Sequence, residues 1–585
     1  MYFFERRVGG RLYRVVAQAV WNPRTKQPVS RQVLLGPADP APVANLAKTC
    51  TLGTKRVGDV GALSWVAEKL NLVRLINEAC DQAAGTQGPT VGELAVAVAV
   101  QRACAPGAKR DLADFLDQSV PRISCLPAES FTGQAFHRAG TKVTDEQLER
   151  AQLAIARAAV VHFNLSAEVL AFDSTNFDTH IATTTPGELA QRGHAKSKRS
   201  DLRVVGLGMM VSEVGHVPLL YRTYPGNSSD QAVLTSCLKG LAKLHDELDG
   251  ADGGPRRSGR TLVRDGGFWK EQLELDLETA RYHSIISLPM SHTAANAALD
   301  HAAQRGHMQS LTGELENVRA ARLVARVGEL ERTLVVVESQ ELLRGQKRGI
   351  AVALRKAKVE LRVIERRLQM GKRKLDRPTL EARVKKALAR EHLSAFVIPQ
   401  FGGSTTEPTF SWKVDSALRA ELERTRLGRR VLCTDRRLWG TERIVRAFRS
   451  QWNIEELFRR AKKGGLVPWG PSFQWADSSL RLHTFATVLG LMLVALAKIA
   501  LKTKQSAPAM MRDLANINAT LVRTNTGKMG RRPTILLPPD LSRAQQKAVE
   551  IFELTKWMPT LDSTRIDTVS RTIEKPTVID QNVRK

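Results

Sequence analysis

The chain has 585 residues, which is too long for one ordinary core and predicts two to four domains. Hydrophobic residues make up 43% and charged residues 25%, a balance that excludes wholesale disorder. Lys and Arg number 88 against 59 Asp and Glu, and the net charge of +29 favours a polyanionic partner, first of all a nucleic acid.

Cysteine usage and hydropathy indicate the compartment. The six cysteines fit no zinc framework and are expected to be reduced thiols in a reducing compartment. The N-terminus has no signal-peptide layout. The most apolar stretch, residues 484–497, is shorter than the ~20 residues needed to cross a bilayer and predicts a buried helix. We therefore expect a cytoplasmic protein without membrane contact.

The first third of the chain predicts a small sheet followed by helices. Residues 1–40 alternate apolar and polar positions, as in a small antiparallel sheet. Three prolines between residues 37 and 42 suit neither a helix nor a central strand. Periodic Leu, Val and Ala then predict helices over residues 58–163. The last of these begins with a capping box at Thr144–Gln147.

Residues 168–290 alternate between strands and helices. Two short strands each end at an aspartate, Asp173 and Asp265. The predicted order is three strands, a helix, a strand, a helix and a strand, which is the order of a ribonuclease-H-like core. The ends of the first and fourth strands lie side by side in such a sheet, so Asp173 and Asp265 are predicted to converge.

Residues 291–427 predict an α+β region inserted into this core. Strands are expected near 324–327 and 333–337, and a long helix over 340–370. Residues 341–390 are strongly basic. Such a charge run is either a solvated helix face or a surface that faces DNA, and the sequence leaves both interpretations open.

A third acidic residue, Glu455, lies in a predicted helix over residues 448–463. At ~100° per residue, Ile444, Phe448, Glu455 and Lys462 share one face, which we expect to meet the core, while Glu456 points away. A carboxylate on a buried face is costly unless it is paired or bound to metal. Glu455 is therefore the predicted site residue.

Three carboxylates without a competing Cys or His cluster suit hard cations such as Mg²⁺ or Mn²⁺. Two such ions can activate the attacking oxygen and stabilise the leaving oxygen of a phosphodiester. In so basic a chain, Asp173, Asp265 and Glu455 predict metal-dependent cutting and joining of DNA.

The spacing Phe448-x2-Gln451-x3-Glu455-x6-Lys462 resembles the Tyr-x2-Arg-x3-Glu-x6-Lys element of DDE insertion-sequence transposases. Further blocks resemble the same family: residues 172–177, 192–196, 201–202, 224–230, 263–267 and 287–289. The resemblance covers about residues 165–290 and 428–500. Two positions depart from it, because Phe448 replaces Tyr and Gln451 replaces Arg.

The resemblance implies a bacterial cut-and-paste transposase that binds terminal inverted repeats, frees a 3′-OH and attacks target DNA with it. It also implies a homodimer on double-stranded DNA and a nucleoid-associated location in the cytoplasm. Two alternatives stay open. One is a catalytically impaired relative that acts as a repressor, and the other is a ribonuclease-H-like nuclease without strand transfer.

The resemblance and the local charge also predict DNA contacts. Arg449 or Arg459 could replace the missing arginine. The full set of predicted DNA-binding residues is Lys462, Arg459, Arg449, His194, Lys196, Lys198 and Arg199. Trp469 and Trp475 could stack on a base, although packing beneath a loop is the commoner role of such residues. His483 is predicted to be a core histidine.

The predicted fold class is α/β, with a ribonuclease-H-like catalytic core and an inserted α+β region, preceded by a small β element and a helical DNA-binding region. The predicted organisation is a β element (1–45), a helical DNA-binding region (46–164), the first part of the core (165–290), the insertion (291–427), the second part of the core with the Glu455 helix (428–502) and a C-terminal region (503–585).

Overall fold

The computed structural model describes residues 2–8, 11–22, 27–37, 50–82, 88–121, 123–251, 260–305, 308–370, 375–524, 534–536 and 541–557. The chain divides into two compact units, each assembled from segments that lie far apart in sequence. The first unit comprises Met1–Asn164, Phe177–Val205 and Arg459–Lys585, and the second comprises Leu165–Asn176 and Gly206–Phe458.

The N-terminal residues form the predicted antiparallel sheet. Its strands are β1 (Tyr2–Val8), β2 (Arg11–Asn22) and β3 (Gln27–Pro37), with β2 in the middle. A further strand, β4 (Cys50–Arg56), precedes the helical region. The sequence did not predict β4.

Helices fill the region where periodic apolar residues predict them. Thr144 caps the last one as expected, because its hydroxyl accepts from the Gln147 N–H while the Gln147 side chain accepts from the Thr144 N–H. The helices are α1 (Gly58–Lys69), α2 (Leu72–Ala79), α3 (Val91–Cys104), α4 (Leu112–Asp117), α5 (Gly133–Lys142) and α6 (Asp145–Phe163).

The ribonuclease-H-like core follows in the predicted order of three strands, helix, strand, helix and strand. Strand β8 lies between β5 and β9 and is parallel to both. The elements are β5 (Val169–Thr179), β6 (Arg203–Ser212), β7 (Pro218–Pro225), α7 (Asp230–Ala251), β8 (Arg260–Arg264), α8 (Glu271–Thr279) and β9 (Tyr282–Ser287).

Strand β5 is longer than predicted. The predicted end at Asp173 is wrong, because the strand continues to Thr179. Its pairing with β8 does stop beside Asp173, since the last paired residues are Phe172 and Arg264. Thr175 is buried and β-branched, so the acidic residue interrupts the apolar pattern without ending the strand.

Strands of the predicted insertion (291–427), together with the strand Arg429–Thr434 that follows it, extend the core sheet. Strand β15 pairs antiparallel with β9 on one side and with β12 on the other. The added strands are β10 (Gln309–Ser310), β11 (Val318–Val327), β12 (Leu330–Ser339) and β15 (Arg429–Thr434). The result is one nine-stranded sheet in the order β10-β11-β12-β15-β9-β8-β5-β6-β7.

The rest of the insertion has a hydrophobic cluster of its own. Its buried members include Ile350, Leu361, Leu380, Phe396 and Phe410. The elements of this region are α9 (Thr293–Arg305), α10 (Gln340–Gln369), α11 (Arg377–Leu388), β13 (Val397–Gly403), β14 (Pro408–Val414) and α12 (Ser416–Thr425). The long helix predicted over 340–370 is confirmed as α10.

The segment around Glu455 forms two helices instead of the single predicted one. They are α13 (Thr441–Arg449) and α14 (Gln451–Ala461), separated at Ser450. The remaining elements are α15 (Asp477–Leu501), α16 (Ala507–Ala515), β16 (Asn518–Thr524), β17 (Thr534–Leu536) and α17 (Arg543–Ile551). Strand β16 pairs with β4 and β17 in a second three-stranded sheet.

Helix α15 is longer than the apolar stretch of the sequence predicts. Among the described helices, it alone has the length and hydropathy to cross a membrane. However, 83% of its most apolar window is buried inside the protein, as in the core helix of a soluble protein. The expectation of a buried helix is confirmed, and the expectation that it is too short to span a bilayer is wrong.

Candidate active site

Asp173 and Asp265 occupy equivalent positions on neighbouring parallel strands. Phe172 pairs with Arg264, and each aspartate is the next residue along the chain. Asp265 keeps an extended backbone, with φ −82° and ψ 161°. Adjacent strands lie ~4.8 Å apart and successive side chains alternate between faces. Both carboxylates therefore leave the same face of the sheet, opposite to buried Phe172 and Arg264.

A buried ion pair fixes the strand that carries Asp265. The Arg264 side chain is 0% exposed and donates to the Glu274 carboxylate on α8 and, at 2.7 Å, to Ser284 Oγ on β9. Hydrogen bonds of this kind between charged groups are stronger than neutral ones. They hold β8 against α8 and β9 on the face opposite to Asp265.

The turn after Asp265 has little room for movement. A Cβ atom on Gly266 would lie 2.7 Å from the Ser287 carbonyl oxygen, whereas one on Gly267 would meet nothing within 4 Å. Two residues later, the Phe268 ring packs edge-on against Phe172 with 5.1 Å between centroids. The turn is therefore anchored to both neighbouring strands, β5 and β9.

Asp173 is held by its own backbone. The Ser174 N–H donates to Asp173 Oδ1 at 2.7 Å, and Asp173 itself is half-buried. Asp265 is exposed, and its carboxylate makes no hydrogen bond or ion pair with the described residues. Both carboxylates lie at the edge where the pairing of β5 and β8 stops, and that of Asp265 is exposed there.

Glu455 does not lie on a buried face, so that part of the prediction is wrong. Glu455 is exposed and Glu456 is half-buried, while Ile454 and Leu457 are buried. The turn at Ser450 separates α13 from α14, so the phase counted from the first helix does not continue into the second. Exposure leaves the Glu455 carboxylate accessible to a ligand.

Contacts with the loop after β6 position α13 and α14. Arg443 on α13 binds the Glu213 carboxylate with two hydrogen bonds of 2.6 and 2.9 Å. Asn453 on α14 donates to the Glu213 carbonyl at 3.2 Å. The orientation of the Glu455 helix is therefore coupled to the core sheet.

Two carboxylates at equivalent strand positions offer only oxygen donors, which suits Mg²⁺ or Mn²⁺. In the part of the chain that the structure describes, no group of three or more His, Cys, Asp or Glu side chains could hold a metal ion. Strand register brings Asp173 and Asp265 together. The role of Glu455 as their third partner stays a prediction.

The predicted DNA-binding residues are all exposed: Arg449, Arg459, Lys462, His194, Lys196, Lys198 and Arg199. Arg199 already forms a two-bond ion pair with Asp201, and this hydrogen bonding lowers the pKa of Asp201 to about 2. A phosphate would compete with that carboxylate for Arg199. Lys462 lies just beyond the end of α14, not on the helix as predicted.

Phe448 and Gln451, where the sequence departs from the transposase pattern, are buried at 8% and 7% exposure. Neither side chain is presented to a ligand. The neighbouring arginines Arg449 and Arg459 are exposed.

Sequence reasoning missed two buried cations in the helical region, Arg102 and Lys109. Both bind backbone carbonyls of residues 468–472. Contacts between residues so far apart in the sequence leave no local pattern, and the side chain of a Lys or Arg is normally solvated. The apolar run before Arg102, residues 94–100, was the only available signal, and nothing in the sequence marks Lys109.

A ribonuclease-H-like sheet with two aspartates in register defines a class of metal-dependent enzymes that act on nucleic-acid phosphodiesters. The sequence matches the family described as transposase DDE domain over residues 164–466, more than half of the chain. The chain belongs to this family, whose members cut DNA and transfer strands with divalent metal ions.

No curated protein matches the sequence. Among solved structures, this chain matches a piggyBac transposase in a synaptic complex with hairpin DNA. The identity is 11%, and the match covers 92% of this chain and 91% of that chain with a TM-score of 0.33. That similarity is too low to support an argument about the site.

Proposed function

We propose that the protein is the transposase of a bacterial insertion sequence. It binds the terminal inverted repeats, cuts the DNA at their ends and joins the freed 3′-OH to target DNA. The observation that carries the proposal is the in-register pair Asp173 and Asp265 on a ribonuclease-H-like sheet, inside the segment that matches the transposase family.

Asp173, Asp265 and Glu455 are the proposed catalytic and metal-binding residues. Two Mg²⁺ or Mn²⁺ ions would supply activation of the attacking oxygen and stabilisation of the leaving one. The protein contributes a rigid frame: the Arg264–Glu274 pair and the Gly266 turn hold the aspartates. Glu455, on the exposed side of α14, is the proposed third ligand and comes from a separate element.

The exposed cations bind the DNA backbone. Arg459, Lys462 and Arg449 contact phosphates near the cut, and Arg449 or Arg459 replaces the arginine that the family has where this chain has Gln451. His194, Lys196, Lys198 and Arg199 are proposed to bind further phosphates. Phosphate contacts position a protein without reading sequence, so the helical region (46–164) is proposed to recognise the repeats. The active form is a homodimer on DNA, associated with the bacterial nucleoid.

A second candidate is a repressor that occupies the repeats without cutting them. The observation in its favour is that Phe448 and Gln451 stand where the family pattern has Tyr and Arg, and that both are buried. The two positions that would contact DNA in the family pattern therefore present no side chain to it. Such a protein would keep duplex binding and lose catalysis.

Cleavage of the ends of the insertion sequence distinguishes the transposase from the repressor. The purified chain is incubated with Mg²⁺ or Mn²⁺ and a plasmid carrying the inverted repeats that flank the coding region. We expect cleavage at the repeat ends and strand-transfer products with a second plasmid. Retarded DNA without any cleavage product would favour the repressor, and cleavage without strand transfer would indicate a nuclease. No preference for the repeats over random DNA would contradict both candidates.

A further inference from the structure

In the loop that follows α14, two polar side chains are buried and two aromatic side chains are exposed. In this aromatic loop, defined as residues 470–476, Ser472 and Gln474 point inward and are 9% and 7% exposed. Phe473 and Trp475 point outward at 65% and 70% exposure. Aromatic side chains gain the most from burial, so this arrangement gives up stabilisation that the opposite alternation would provide.

Buried cations hold the start of the loop in place. Arg102 donates to the carbonyl groups of Pro468 and Trp469, and Lys109 Nζ donates to the Ser472 carbonyl at 2.7 Å. Burial lowers the pKa of Arg102 to about 10 and that of Lys109 well below its usual value. Burying two cations against carbonyl groups is costly, which indicates that the backbone position of this loop matters.

The Trp469 side chain fixes the same segment from the other side. Its ring stacks on Phe177 with 5.0 Å between centroids, and its Nε1 donates to Thr484 Oγ1 at 2.9 Å. His483 Nε2 donates to the Trp469 carbonyl at 2.6 Å. Phe473 has a φ of 52°, which is rare for an aromatic residue and is held only by such surroundings. The exposed rings therefore project from a rigid base.

The loop lies next to a cationic helix end. The Val467 N–H donates to the Arg460 carbonyl at 2.9 Å and the Trp469 N–H donates to the Ala461 carbonyl at 2.7 Å. This folds the start of the loop back onto the end of α14. Arg459, Lys462 and Lys463 are exposed there.

We propose that Phe473 and Trp475 form a stacking surface for unpaired DNA bases, with the adjoining phosphates bound by Arg459, Lys462 and Lys463. Rigid exposed aromatic rings beside cations are what single-stranded nucleic acid requires, because every base offers a flat face and every linkage a negative charge. Bases inside a duplex are already stacked, so the preferred ligand is an unpaired segment. The inference rests on the proposed function in that such segments arise where the enzyme opens DNA ends.

Fluorescence anisotropy of the full-length protein tests this surface. The probes are a labelled oligothymidylate, which has no secondary structure, and a duplex of equal length. We expect Trp475→Ala and Phe473→Ala each to weaken oligothymidylate binding about tenfold and to leave duplex binding nearly unchanged. Trp475→Phe should restore most of the affinity, because it keeps an aromatic face.

Val324→Ala is the control, since Val324 is 58% exposed on β11, away from the aromatic loop in sequence, and should change neither affinity. Wild-type affinity of both loop variants for oligothymidylate would overturn the proposal. A changed oligomeric state in size-exclusion chromatography with intact single-strand binding would also overturn it and indicate a protein interface. If the proposed function were wrong, the protein would neither cleave the inverted repeats nor prefer them to random duplex DNA. The loop variants would still bind oligothymidylate more weakly than wild type.

Discussion

Asp173 and Asp265 follow directly after two residues that pair with each other across neighbouring parallel strands, Phe172 and Arg264. The aspartates therefore share one face of the sheet, and Phe172 and Arg264 are buried on the other face. This relationship depends on strand register alone, since a slip of one residue would turn one carboxylate toward the core.

Gly266→Ala should disturb this arrangement without removing a carboxylate. The added Cβ would lie 2.7 Å from the Ser287 carbonyl oxygen, so the turn after Asp265 must shift. We expect a loss of about 1–3 kcal/mol in the free energy of unfolding, together with reduced cleavage. Denaturant unfolding and plasmid cleavage measure the two effects. Gly267→Ala, where the space is open, should behave as wild type, and equal effects of both substitutions would argue against a packed turn.

Glu455→Gln should abolish cleavage and leave folding intact, because Glu455 is exposed and makes no ion pair with the described residues. Glu456→Gln is the control on the same helix and should retain activity. We expect a loss of more than ~100-fold for the first variant, as for other metal ligands. If the Glu456 variant loses activity and the Glu455 variant does not, the third carboxylate has been misassigned.

The buried Arg264–Glu274 pair should be sensitive to loss of one partner. Glu274→Gln leaves the Arg264 guanidinium buried without its carboxylate, which typically costs about 3–5 kcal/mol. Urea unfolding followed by circular dichroism measures the change. Asp276→Asn, on the exposed side of the same helix, should have little effect. An equally small effect of the Glu274 substitution would show that the pair does not secure β8.

Stability should fall in mild acid because of His245. Burial, and secondly Arg260, lowers the pKa of this imidazole from 6.5 to about 2, and its Nδ1 lies 2.8 Å from the Tyr282 hydroxyl. The unfolded chain therefore binds a proton below pH 6.5 that the folded chain does not. The neutral form is fully stabilising above pH 6.5, and the stability is lost as the pH falls, by at most ~1.4 kcal/mol per unit.

Unfolding of His245→Gln at pH 7 and pH 5.5 checks this assignment. The variant should lose about 1 kcal/mol less than wild type between the two pH values. His162→Gln, at an exposed histidine, should keep the wild-type slope. An unchanged slope in the His245 variant would assign the acid sensitivity to another group.

The order of the core elements could be predicted from the sequence because each strand and helix has its own period of apolar residues. That order was enough to place Asp173 beside Asp265. The end of β5 was not predictable in the same way, since Asp173 interrupts the apolar pattern of a strand whose later residues are held by tertiary contacts.

The exposure of Glu455 could not be predicted from the sequence for a different reason. Phase counting assumes one uninterrupted helix, and nothing local to Ser450 marks the break, because the sequence has neither Gly nor Pro there. Similarly, the pairing of β15 with β9 joins residues about 145 positions apart, which a pattern-based prediction cannot see. The cations under the aromatic loop were missed for the same reason.

The most direct test of the account is Mn²⁺ binding to the purified protein, followed by electron paramagnetic resonance. The account predicts that Asp173→Asn and Asp265→Asn each weaken binding by more than ~10-fold. It also predicts that the double variant binds no more tightly than either single one, because both aspartates belong to the proposed metal site. Asp276→Asn should bind as wild type does. Unchanged Mn²⁺ affinity in either single variant would contradict the shared metal site at this edge of the sheet.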